Sequence, residues 1–357
     1  MLSPRPVLAL DLGGTQIRAA VIRPDGTRVA RIARPTPVAD GPAAVVAASA
    51  QSLREALDAS GSAGAGVQAV GVSSPGPINP WSGVIVSPPN LGVAFHGVPF
   101  AADLEQLLGL PVYLERDTNV AALGEMAFGA ARGCPDFLYL TVSTGFGGAI
   151  MTRGELMLGP DGTAGELGHL QVELDGPLCG CGGSGHVEAL CSGRAIARDA
   201  KTALDTGRSA FLNQRAAEKS GPVDAHDVAD GDAAGDPLCV ELMVRARAAF
   251  AAAVVGAVNL LNPTLIVVGG SIAEHQGDRL FGPARQAVSI GTFPVPGGRV
   301  KIVPAMLGGD VSLAGAHPLV MARYGDPAWR QGVDGPRPTP PAAPPVASSP
   351  SAQSSAT

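Results

Sequence analysis

Residues 10–16, Leu-Asp-Leu-Gly-Gly-Thr-Gln, set a carboxylate, Asp11, beside two glycines and a hydroxyl, Gly13, Gly14 and Thr15. Backbone without Cβ atoms can bring its N–H groups close to a phosphate, and a neighbouring carboxylate can hold Mg²⁺ through water. The same residues also suit a plain β-turn, and the pattern is neither G-x-G-x-x-G nor a P-loop. A second turn, Ser-Thr-Gly-Phe-Gly-Gly at 143–148, offers Thr144, Gly145, Gly147 and Gly148, and a third, Gly269-Gly270, ends the apolar run from Thr264. Two matched turns in one chain favour the phosphate reading. A polyphosphate held by amides and a metal needs no basic patch.

Asp117 follows the stretch Val-Tyr-Leu-Glu-Arg at 112–116, which reads as a strand. Two jobs are open to it: capping a helix that begins near Asn119, the commoner one on this stretch alone, or taking the proton from a hydroxyl that attacks phosphorus. Further on, Glu166 and His169 stand three apart in Gly-Glu-Leu-Gly-His, and Cys179, Cys181, His186 and Glu188 share a glycine-rich loop. His169, Cys179, Cys181 and His186 make four soft or borderline donors, the number a structural zinc site requires. Cysteines one residue apart are poorly placed to form a disulfide with each other. The spacing is not that of a C-x₂-C ribbon, so a zinc loop and a merely flexible one both stay open. Cys134, Cys191 and Cys239 lack such company and read as buried small apolar side chains.

These groups need a scaffold with a cleft. A chain of 357 residues suits two lobes, each with its own core, and 46% hydrophobic against 16% charged residues makes it globular. A net charge of −6 argues against a broad basic face for nucleic acid. Five cysteines and no secretory leader point to a reducing, cytoplasmic setting, and no apolar run approaches a membrane span. The pattern is α/β. Residues 7–35 read as strand, glycine turn, strand, Pro-Asp-Gly-Thr turn and strand, and the strand–turn–strand unit recurs from Phe137, about 130 residues on. Residues 190–260 read as mostly helical with an Asp/Gly/Ala-rich connection around 220–236. The expected lobes are 1–118 and 119–325, the last helix returning to the first lobe. Residues 326–357, rich in Pro, Ala and Ser, read as a disordered tail whose removal after about residue 325 leaves activity and melting temperature nearly unchanged.

In order and separation, the segments at 10–20, 143–150, 165–169, 179–188 and 262–270 resemble the ROK family of sugar kinases and sugar-responsive repressors, its ATP-dependent glucokinases in particular, over residues 7 to about 325. The resemblance implies a duplicated actin-like, ribonuclease H-like ATPase fold. It also implies that Asp11, Gly13, Gly14, Thr15, Thr144 and Gly145 hold the phosphates of ATP with Mg²⁺, and that Gly269 and Gly270 border the adenosine. Asp117 takes the position of the base. Gly76, Asn90, Glu166, His169 and Glu188 fall on sugar-binding positions, and His169, Cys179 and Cys181 on zinc positions. This chain departs from the pattern twice. His186 stands where a third cysteine is common, which makes a His₂Cys₂ zinc site. Arg116 stands where glucokinases have an asparagine that bonds the sugar; a fixed cation there is expected to redirect sugar choice or to lower the pKa of Asp117. The implied reaction is ATP-dependent phosphorylation of a hexose 6-hydroxyl, glucose foremost. Mannose, fructose, allose, N-acyl amino sugars and a polyphosphate donor stand as alternatives, and a non-enzymatic sugar sensor as the rival from another class. Repressors of the family carry a helix-turn-helix ahead of the core; only six residues precede the first strand here, so no nucleic-acid partner is expected. The family implies a homodimer or homotetramer.

Overall fold

The computed structural model describes residues 5–88, 91–204 and 207–329. The opening apolar runs become β1 (Val7–Leu12), β2 (Gln16–Ile22) and β3 (Arg28–Pro35), an antiparallel meander. β4 (Val70–Ser74) lies parallel to β1, a small hairpin follows as β5 (Ile78–Asn79) and β6 (Val84–Ile85), and β7 (Val112–Arg116) lies parallel to β4. The sheet order is β3-β2-β1-β4-β7. A second sheet repeats it. β8 (Phe137–Val142), β9 (Phe146–Thr152) and β10 (Glu155–Leu156) form the meander, and β11 (Leu265–Gly269) and β12 (Lys301–Pro304) add in parallel, giving β10-β9-β8-β11-β12. The repeat legible in the sequence is therefore a repeat of topology.

Helices fill three layers. α1 (Pro42–Ser60) and α2 (Phe100–Leu108) cover the outer face of the first sheet, where Leu8, Leu10 and Leu12 point. Val7 and Ala9, at the alternate positions of β1, face the other way, into a core shared with α3 (Asp117–Phe128). Phe137 and Tyr139 enter that core from the second sheet, while Leu138 and Leu140 point outward. Burial on both faces is why these strands read as unbroken apolar runs. The outer layer of the second sheet holds α4 (Glu188–Cys191), α5 (Gly193–Leu204), α6 (Ala210–Glu218), α7 (Ala225–Ala234), α8 (Pro237–Leu261), α9 (Ser271–Gln276), α10 (Asp278–Gly291) and α11 (Pro294–Arg299). Finally α12 (Val311–Ala314) and α13 (Ala316–Arg323) return between the sheets. α13 lies so close to β4 that a Cβ on Gly71 would sit 2.6 Å from the Ala316 carbonyl oxygen. No helix of the described residues is long and apolar enough to cross a membrane.

Three expectations change. The Asp/Gly/Ala-rich connection near 220–236 is largely helix α7: Asp224 accepts the N–H groups of His226 and Asp227, and Asp227 returns a bond to Asp224 N–H. That reciprocal cap offsets the weak helix propensity of Asp and Gly. Cys191 and Cys239 are buried, but Cys134 is half-buried, its thiol 3.0 Å from Thr264 Oγ1. Within the expected tail, Pro327–Trp329 form a short turn, and Trp329 stacks on Trp81 and lies over Arg323. The rest of that tail, 330–357, lies outside the described residues.

Candidate active site

β1 and β2 build the first glycine turn, closed by a bond from Gly13 N–H to the Gln16 carbonyl at 3.0 Å. Asp11 faces Arg18 directly across the strand pair, and its Oδ2 accepts from Arg18 Nε at 2.9 Å and Nη2 at 2.5 Å. Arg18 Nη1 continues to Gly309 O at 2.6 Å, tying the turn to the loop before α12. Oδ2 of Asp11 is thus committed to Arg18. The pairing was legible in principle: a three-residue turn places residues 11 and 18 opposite each other.

The second turn closes with Ser143 N–H to Gly145 O at 2.9 Å, and the start of α5 locks onto it through Gly193 N–H to Ser143 O and Arg194 N–H to Thr144 O at 2.7 and 3.1 Å. Ser143 Oγ lies 3.2 Å from Ser271 Oγ at the start of α9, so the third glycine pair joins the same cluster. Gly270 has φ +96°, and a Cβ there would lie 2.5 Å from Val142 O; only glycine fits. A cavity of about 280 Å³ lined by Val268, Ala273, Glu274, Phe281 and Pro304 opens beside it. Arg194, which the sequence did not single out, brings its guanidinium to 3.7 Å from where a Gly145 Cβ would be.

β7 delivers Glu115 and Arg116, and α3 starts on Asp117 itself rather than near Asn119. Asp117 is no cap: Arg116 holds the N-cap position, and among the described residues the Asp117 carboxylate accepts just the adjacent Thr118 N–H, at 2.7 Å. Asp117 is exposed to solvent on one side, yet protein atoms crowd its carboxylate on the others. The resulting loss of bulk water pushes its pKa up to about 6; the Asp11 and Glu166 carboxylates add to this, and the Thr118 N–H and Arg116 oppose it. Arg116 acts in the expected direction, but burial outweighs it, so the net shift is upward.

Arg116 is 3% exposed. Its guanidinium forms an ion pair with Glu166 and donates from Nη2 to Ala164 O at 2.5 Å and Asn119 Oδ1 at 3.3 Å, while its Nε is buried without a partner. The stem fits because residues 76 and 165 lack side chains: a Cβ on Gly76 would lie 3.0 Å from Arg116 Cδ, and one on Gly165 3.5 Å from Nη2. Arg116 thus joins the first sheet to the 164–166 loop of the second. Behind it the fully buried Glu115 accepts the Arg116 N–H at 2.8 Å and Asn119 Nδ2 at 2.9 Å and is ion-paired to the buried Arg323 of α13. Neither Glu115 nor Arg323 stood out in the sequence. Asn90 lies outside the described residues.

The loop at 179–188 folds back on itself, with Cys179 N–H bonded to Gly183 O at 2.7 Å and Val187 N–H to Leu170 O at 2.9 Å. His169, on the turn Leu167–His169, completes the cluster: one donor atom each from His169, Cys179, Cys181 and His186 all lie within 4.8 Å of one another. Cys179 Sγ is 3.7 Å from His169 Nδ1, and Cys181 Sγ is 3.2 Å from His186 Nδ1. A tetrahedron with bonds of about 2.3 Å to sulfur and about 2.0 Å to nitrogen has S···N edges near ~3.5 Å, so the donors are spaced for zinc. Burial raises the Cys179 thiol pKa, so a bound cation has to displace its proton. Glu188 lies between this loop and the second glycine turn, with Oε2 accepting Phe146 N–H at 2.9 Å and Oε1 3.9 Å from Cys179 Sγ.

The ROK family model matches residues 7–323. The chain belongs to the ROK family. The Thermotoga maritima protein named glucokinase is 34% identical over 319 residues, 89% of this chain and 98% of its own. The Shigella flexneri protein named N-acetylmannosamine kinase is 35% identical over 273 residues, 76% of this chain and 84% of its own. A ROK glucokinase from Streptomyces griseus, solved with glucose and AMPPNP, superposes with a TM-score of 0.72 at 30% identity, covering 88% of this chain and 98% of that one. The two sheets of this ROK protein, with their matched order, are the two halves of an actin-like ATPase fold.

Proposed function

We propose that this ROK sugar kinase transfers the γ-phosphoryl group of ATP to the 6-hydroxyl of a hexose, with glucose the first choice. One observation carries the reading: Asp117, a carboxylate with its pKa pushed to about 6, is near enough to Asp11 of the first glycine turn to feel its charge, and the adjacent Thr118 packs against Gly147 of the second. At neutral pH Asp117 is deprotonated and yet basic enough to take a hydroxyl proton, the state a general base needs. The amides of Gly13, Gly14, Thr15, Thr144 and Gly145 hold the phosphates, and Gly269 and Gly270 with the adjacent cavity take the adenosine. Asp11 would hold Mg²⁺, which would supply charge neutralisation at the phosphates. His169, Glu166 and Glu188, with Gly76 and Asn90 from the first lobe, orient the sugar. His169, Cys179, Cys181 and His186 would hold zinc, which would fix the loop that carries Glu188. Closure of the lobes 1–118 and 119–325 excludes water, which otherwise competes as acceptor.

A second sugar reading, an N-acyl amino sugar, has support from the 35% identical N-acetylmannosamine kinase and from the commitment of Glu166 to Arg116. A coupled assay with ATP and Mg²⁺ over glucose, mannose, fructose, allose and N-acetyl sugars, repeated with polyphosphate as donor, tests both. Turnover of glucose at the highest kcat/KM is the expected result, and no turnover of any sugar sinks the kinase reading.

Arg116→Asn releases Glu166 and removes a cation beside the base. The ratio of kcat/KM for glucose over N-acetylmannosamine is expected to change by about tenfold or more, the scale of one bond to a charged group. The acid limb of the glucose pH profile should move to higher pH, because Arg116 favours the charged form of Asp117. A profile unmoved in both ratio and pH dissociates Arg116 from the sugar site.

A further inference from the structure

The chain has two tryptophans, and they are stacked on each other although 248 positions separate Trp81 from Trp329. Their ring centroids are 6.0 Å apart at an interplanar angle of 6°. Trp329 also lies over the guanidinium of Arg323, with Arg323 Cζ 3.9 Å from the ring centroid. Each partner leads to the site. Trp81 sits in the β5–β6 turn, with its N–H bonded to Asn79 Oδ1 at 3.1 Å. That hairpin lies against the loop carrying Glu166: a Cβ on Gly162 would be 2.6 Å from Pro80 Cδ. Arg323 in turn holds Glu115, which receives the Arg116 N–H and the Asn119 side chain on either side of Asp117.

We propose that Trp329 is a positioning residue, a strap that holds the β5–β6 hairpin over the sugar end of the cleft, with Arg323, itself anchored to Glu115 and to the Leu114 carbonyl, as its fixed support. The inference rests on the sugar-kinase reading for its kinetic consequence, though not for the packing itself. A parallel ring and a cation over the ring are directional contacts that a smaller side chain cannot replace. Through the hairpin the strap acts on sugar binding; ATP, held by the glycine turns, is untouched. Residues 326–329 accordingly do not belong to a dispensable tail.

The test uses the full chain with Trp329→Ala and Trp329→Phe. In Trp329→Ala the sugar KM is expected to rise about tenfold while kcat and the ATP KM stay within about twofold; Trp329→Phe, which keeps a stacking ring, restores the sugar KM to within about threefold. An unchanged sugar KM in Trp329→Ala overturns the proposal. So does a fall in melting temperature with kcat and both KM values scaling together, the pattern of a merely structural role. In both variants Trp81 is the sole tryptophan, and acrylamide should quench it several-fold more readily in Trp329→Ala than in Trp329→Phe. Equal quenching refutes the strap without any appeal to turnover. If the wild type phosphorylates no sugar, the kinase reading fails separately, and saturable change of Trp81 fluorescence in Trp329→Phe on adding glucose without ATP still decides whether the hairpin answers to sugar.

Discussion

Asp117→Asn should lower kcat for glucose by about a thousandfold while the glucose KM stays within a few-fold, because positioned proton transfer is worth roughly 10²–10⁴ in rate and the amide keeps the shape of the carboxylate without its basicity. Wild-type activity should also fall with acidity. The folded-state pKa of Asp117 lies near 6, above the ordinary aspartate value, so the group gains its proton as pH drops through about 6 and the base is lost. The expected profile of kcat/KM is flat above neutrality and declines about tenfold per pH unit well below 6. Asp117→Asn removes that limb from whatever residual rate remains. A variant that retains near-wild-type kcat, or a wild-type acid limb near 4 rather than 6, rules out Asp117 as the base.

Loss of the zinc loop should be the next largest effect. Metal analysis of carefully purified protein is expected to find about one zinc per chain, and Cys179→Ser, which removes the buried ligand, should lose it. Activity should then drop about a hundredfold. Glu188 is carried two residues beyond His186 and spans from the loop to Phe146 N–H at the second glycine turn, so loosening the loop disturbs sugar and phosphate binding together. His186 separates zinc binding from simple packing: His186→Cys should keep the metal as a Cys₃His site, whereas His186→Ala should lose it. Retention of a full zinc in His186→Ala removes His186 from the ligand set. Active wild type without zinc removes the site altogether.

How far the sequence alone reached depends on the range of each interaction. Features made by neighbours in the chain were visible: both meanders with their glycine turns, the apolar runs of strands buried on both faces, and the His and Cys set, three of whose four members lie within eight residues. The α7 segment was missed because Asp and Gly usually break helices, and the cap that rescues it depends on the backbone placing Asp224 and Asp227 together. Asp117 was visible as a carboxylate at a strand end, but that it does not cap the helix emerged only from where the helix starts.

Tertiary structure alone decided what those residues face. Arg116 meets Glu166 across 50 positions and Glu115 meets Arg323 across 208; composition carries no trace of either pairing. The sign of the Asp117 shift followed from the same source: the sequence put a cation next to it and so suggested a lowered pKa, while packing surrounded it with enough protein to outweigh that cation. Residue types and local spacing determine which groups can bind phosphate, hold a metal or move a proton, since those capacities belong to the side chains. Which groups are already paired, and how much water each one loses, is set by contacts between segments distant in the chain, and so only by the fold.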